Sequence, residues 1–188
     1  MDCFDELVRD WTKSLTSAEK ESLAGDGTKI FLGLRQIKLE IDFLAACLAF
    51  WDPDYHVFRF PRGEISPLLE EFAAVAGWSA RTTPVLVWLE TGYRARVQNY
   101  LSMTRDQCDD LMVGPKLNMP RLCQRFMNRG DNIITAVARR RALSFCLVHR
   151  YAFVDTMDTR AGGDPRLVRV VEEMELGHNP AALIWNSG

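Results

Sequence analysis

Residues 50–78 read FWDPDYHVFRFPRGEISPLLEEFAAVAGW. Asp52-Pro53 ends the helix before it, because a residue preceding proline is pushed out of the helical region. His56, Phe58 and Phe60 then alternate along one face, and Pro61-Arg62-Gly63 is a turn signal. The spacing predicts a small β-hairpin near residues 56–65, which must pack on helices to persist. Ser66 follows as an N-cap with Pro67 at the first helical position. Glu70 and Glu71 fall where carboxylates complement the helix dipole, Leu68, Leu69, Phe72, Val75 and Ala76 face inward, and Gly77 closes the helix. This reading expects Phe58, Phe60 and Phe72 to be mostly buried and the two carboxylates mostly exposed.

Working outward, the rest of the chain is helical in pattern. Phe4, Leu7, Val8, Trp11 and Leu15 form one stripe. Thr16-Ser17-Ala18-Glu19 is a capping box whose helix ends near Gly25, and Ile30–Leu34 adds a turn. Ile41, Leu44, Leu48 and Trp51, flanked by Phe43, Cys47 and Phe50, make an apolar face wide enough to predict a buried helix. Val85–Trp88 also reads as helix. Thr104–Gln107 is a second capping box, Asn118 with Pro120 opens a helix ended by Gly130, and Asp131 starts the longest one, through Val154. Asp164-Pro165 caps a helix ended by Gly177. Asn179-Pro180 opens a last one, barely begun at Gly188, so the sequence reads as truncated at its C-terminus. The expected fold is all-α: a single compact multi-helix domain over residues 1–188 with one hairpin.

The chain has 188 residues, 47% of them hydrophobic and 26% charged, which fits one domain with a packed core. It contains no apolar run of membrane-spanning length, and its acidic N-terminus lacks the features of a signal peptide. Five cysteines in no metal-binding spacing read as structural thiols of a reducing, intracellular compartment. The net charge of −2 is unevenly distributed. Residues 1–90 carry nine basic against fifteen acidic side chains, and residues 91–155 carry eleven against five. Such asymmetry marks either a polyanion-binding face or two segments that complement each other.

The sequence carries no catalytic motif. Its three histidines have no partner at ligand spacing, and His149 beside Arg150 reads as a surface residue. Glu70 and Glu71 point about 100° apart on a helix and do not converge on one atom. Gly25–Lys29 is not a phosphate-binding loop, and none of the five lysines sits in a pattern for Schiff-base chemistry. No cofactor or metal is expected. The sharpest charge feature is arginine: Arg121, Arg125 and Arg129 share one helix face, and Arg139, Arg140 and Arg141 are consecutive. These six are the candidate contacts for nucleic acid or a partner; a solvated face, or pairing with the acidic N-terminal half, is the plainer reading.

Phe50-Trp51-Asp52-Pro53, Phe58-Arg59-Phe60, Pro67-Leu68-Leu69-Glu70-Glu71-Phe72 and Gly77 together resemble the signature of the plant mobile domain superfamily, closest to its uncharacterised retroelement-associated branch, sometimes labelled aminotransferase-like. Trp11 with Leu15 and Asn179–Ile184 extend the resemblance more weakly, Leu68 stands where threonine is common, and residues 79–117 depart most. The resemblance implies a non-enzymatic interaction module of transposon-associated origin. It implies a nuclear role in transposon silencing or genome maintenance, with phosphatase-like or chromatin-associated partners. It supplies no catalytic residues. Two other readings stand beside it: a gag-like self-assembling module, marked by a large exposed apolar patch, and an enzyme whose site joins scattered groups such as Asp52, His56 and Glu70.

Overall fold

The structure, a computed structural model, describes residues 3–25, 27–34, 40–55, 57–66, 71, 74, 92–130, 133–152 and 161–178. Among these residues there are nine helices: α1 (Cys3–Lys13), α2 (Ser17–Gly25), α3 (Lys29–Leu34), α4 (Ile41–Leu48), α5 (Tyr93–Tyr100), α6 (Arg105–Leu111), α7 (Met119–Met127), α8 (Ala136–Ala152) and α9 (Leu167–Glu175). The helix starts follow the predicted chemistry. The Glu19 carboxylate accepts from the Thr16 N–H at 2.7 Å while the Glu19 N–H donates to the Thr16 hydroxyl. Thr104 and Gln107 repeat the device at α6, and the Asn118 side chain accepts from the Arg121 N–H at α7. The start of α8 lies at Thr135, whose hydroxyl accepts from the Ala138 N–H. Gly177 (φ 77°) ends α9, with its N–H on Met174 O and the His178 N–H on Glu173 O. That paired return of the chain onto the last turn requires a left-handed residue, which glycine supplies without strain.

Helix α8 is the centre. Residues 142–149 are buried without interruption, and α1, α2, α3, α7 and α9 all pack against it. Phe4, Val8, Trp11, Leu23, Leu122, Phe126, Phe145, Val168 and Met174 fill the space between them. Each such side chain contributes about 1.5–3 kcal/mol of transfer free energy. His149 is only 6% exposed, with the Phe4 ring 5.5 Å away, so the surface placement read from its charged neighbour Arg150 is incorrect. Over residues 142–149 the helix is enclosed on every side, so a histidine there has no solvent face to occupy.

The all-α expectation needs a second correction. The molecule is mostly helical with two small three-stranded antiparallel sheets. The first, β1 (Trp51–Asp52), β2 (Val57–Phe60) and β3 (Gly63–Ile65), is the predicted hairpin with one more strand. The second, β4 (Met112–Val113), β5 (Lys116–Asn118) and β6 (Gly162–Gly163), was not predicted. Strands of two or three residues are too short to show alternation, and β6 pairs across more than forty residues of chain. Gly163 is required there: a Cβ would run into the buried Met119 side chain, whose Cγ would lie at 2.9 Å.

The largest departure concerns residues 41–65. The predicted buried helix forms as α4, but Ile41 (69%), Phe43 (67%) and Leu48 (64%) are exposed. In the hairpin Phe58 is half-buried and Phe60 is 37% exposed, so both are mostly covered as expected though neither reaches the core; Glu71 is exposed as expected. None of the described residues 40–66 joins the core. The space around α8 is already taken by α1, α2, α3, α7 and α9. His56, Glu70, Phe72, Asp131 as the start of α8, the helix over Val85–Trp88 and the segment from Asn179 lie outside the described residues.

The two classes of aromatic residue should separate cleanly in chemical denaturation. Phe145→Ala is expected to lose about 3–5 kcal/mol, as for a fully buried phenylalanine. Phe43→Ala should stay within about 0.5 kcal/mol of the parent, as for a surface position. Equal losses would place α4 in the core.

Candidate interaction surface

The first sheet is amphipathic. Register sets Trp51, Phe58 and Ile65 opposite one another, and Phe60 lies on the same side two residues from Phe58. Rings on this side pair closely, Trp51 with Phe58 at 4.8 Å and Phe50 with Phe60 at 4.9 Å. The opposite side is charged: Arg59 bridges Asp52 at 2.8 Å and Glu64 at 3.1 Å and covers the Tyr55 ring at 4.7 Å. Asp52 also accepts from the N–H groups of Asp54 and Tyr55, which closes the turn after proline. Asp52 is therefore held in a structural role. Exposed Ile41, Phe43, Leu44 and Leu48 of α4 add to the apolar surface.

The six candidate arginines do not share one face. Arg129 bridges Glu19 at 2.8 Å and donates to Ser14 O, tying α7 to α2. Arg139 donates to Phe126 O and Asn128 O, satisfying carbonyls at the end of α7. Arg140 and Arg141 converge on Glu175 at 2.7 and 2.9 Å, and Arg141 also stacks on Tyr100. Arg121 is exposed and reaches Asp110 O, while half-buried Arg125 lies in the last turn of α7. Arg150 bridges Asp5 at 3.0 Å. Much of the positive middle segment thus meets acidic partners on either side of it, which is the complementing arrangement the charge asymmetry allowed.

Several groups are tuned by this packing. Burial acts to raise the Glu19 carboxyl, but the Thr16 donors and the Arg129 charge outweigh it and hold the group below its ordinary range. Cys123 and Cys146 are fully buried with their sulfurs 3.4 Å apart. Burial, reinforced by the adjoining Cys123, pushes the Cys146 thiol well up, and burial raises Cys108. Among the described residues no three His, Cys, Asp or Glu side chains gather to hold a metal ion. No helix among them is long and apolar enough to cross a membrane.

A family profile described as a domain of unknown function, DUF7745, matches residues 8–144. The chain belongs to the DUF7745 family. The match spans nearly three quarters of the DUF7745 chain and takes in α4, the first sheet and all six arginines. No curated protein and no solved structure matches it. Sequence reasoning missed the exposed apolar segment, because an exposed apolar helix has the same residue pattern as one inside a core.

Two measurements test this description of the DUF7745 chain. The lowered Glu19 carboxyl stabilises the fold above the ordinary glutamate range, and that contribution is lost as pH falls below about 4.3 and through the folded value. The thermal-midpoint gap between the parent and Glu19→Gln should therefore close between neutral and strongly acidic pH; a constant gap would refute the assignment. Iodoacetamide at mildly alkaline pH should alkylate half-buried Cys47 in the native protein, while Cys108, Cys123 and Cys146 react only after unfolding, as mapped by mass spectrometry.

Proposed function

We infer that the protein is a non-enzymatic interaction module that recognises a protein partner through the apolar surface of residues 41–65. The observation that carries this reading is that large apolar side chains stand exposed on a segment with no place in the core. Exposed apolar surface of this extent, on a sheet whose other side is charged through Arg59, Asp52 and Glu64, is a feature of partner sites. The resemblance of residues 50–77 to the plant mobile domain supports a transposon-associated origin. It also supports a nuclear role in transposon silencing or genome maintenance, alongside phosphatase-like or chromatin-associated proteins. Nucleic acid is a secondary contact, to which exposed Arg121 contributes one cation. Gag-like self-assembly is the second reading, since the same exposed surface would serve a second copy.

A photo-crosslinking residue placed at Phe43 or Phe60 in plant nuclear extract tests the reading, with Leu176, an exposed leucine just beyond α9, as control. Capture of a discrete foreign protein at both test positions, abolished by Ile41→Asp/Leu48→Asp, is the expected result. Capture of the chain itself, with concentration-dependent sedimentation, would favour self-assembly. Labelling no stronger than at Leu176 would overturn both.

A further inference from the structure

A cleft of about 350 Å³ opens between α2 and the first half of α8. Exposed Ala18, Ala136 and Val137 line it, together with Trp11, Leu15, Leu23 and Leu143 of the core. Its charged groups already have protein partners. Glu19 bridges Arg129, Arg139 donates to the carbonyls of Phe126 and Asn128, and Arg140 bridges Glu175. What the cleft offers a ligand is therefore mainly apolar surface, where an ionic group would lose its hydration.

The surroundings decide between a protein and a small molecule. Among the cleft residues only Val137, 49% exposed, is a large apolar side chain open to solvent. A protein partner needs about 800 Å² of matching surface on each side, with an apolar centre. Apolar surface of that kind stands exposed at residues 41–65 and not here. The occupant that fits is one held inside the cleft, whose volume lies in the range of about 300–1,000 Å³ usual for small organic ligands. At the packing density of protein interiors, about 0.74, the space admits on the order of fourteen non-hydrogen atoms. We propose that the cleft between α2 and α8 binds a neutral, apolar organic molecule the size of a biphenyl. Covering Ala18, Ala136 and Val137 supplies the affinity, and the lack of an uncommitted ionic partner selects against charge on the ligand. The site shares no residue with the surface of residues 41–65 and stands whether or not that surface recognises a partner.

The test uses three probes with one apolar body at neutral pH: biphenyl-4-methanol, biphenyl-4-carboxylate and biphenyl-4-methylammonium. Binding is followed by calorimetry and by methyl chemical shifts. The neutral alcohol should shift the Leu15, Leu23, Val137 and Leu143 methyls and bind at least about tenfold tighter than either ion. Ser22 and Val137 are exposed cleft residues, so substitution there should leave the fold intact. Ser22→Phe should fill the cleft and abolish the shifts, and Val137→Asp should weaken the alcohol at least about tenfold by placing a charge in the wall. The ranking of the three probes on the unaltered protein does not depend on either variant. An ion that binds as tightly as the alcohol, no shifts at saturating alcohol, shifts confined to Ile41, Leu44 and Leu48, or binding that survives both substitutions would each overturn the proposal.

Discussion

The packing of α8 inside a ring of other helices is the constraint on which the structure depends. Eight consecutive residues from Ala142 to His149 are withdrawn from water, so every direction around that helix needs a neighbour. Helices α1, α2, α3, α7 and α9 supply them. The polar members of the run need partners as well as space. The Ser144 hydroxyl lies 3.2 Å from that of Thr28, and the Cys146 sulfur meets Cys123. Buried polar groups left without partners would cost about 1–3 kcal/mol each, so these contacts set the rotation of α8 as well as its stability.

Charge is arranged around this core as a set of ties. Arg150–Asp5 and Arg129–Glu19 hold the N-terminal helices to α8 and α7, while Arg96–Glu172 and the shared Glu175 hold α9 to α5 and α8. Individually such partly exposed pairs add about 0–1 kcal/mol. Their larger effect is geometric, since each joins elements distant in sequence and disfavours other helix arrangements. The arginine-rich middle of the chain is accordingly more a fastening than a free cationic face.

Much of the fold was legible in the sequence wherever a local rule governs the backbone. Capping at Thr16, Thr104 and Asn118, the stop at Gly177 and the hairpin strands all follow from side chains acting on neighbours within a few residues. What escaped depends on partners distant in sequence. The pairing of β5 with β6 rests on Leu117 meeting Gly163, which no local pattern encodes. The burial of His149 depends on Phe4, and the exposure of α4 depends on a core already closed by other helices. The candidate site was legible only as residue types: the arginines were visible, but their acceptors were not, and the apolar surface was mistaken for interior.

The separation of residues 40–66 from the core has an evolutionary consequence. Substitutions at its exposed apolar positions are not screened by core packing, whereas substitutions around α8 are screened by folding. A lineage can therefore change the chemistry of this segment's surface while leaving the packing around α8 untouched. The same property makes the segment a natural insertion point, where a foreign epitope can replace the hairpin and the body beneath it still folds.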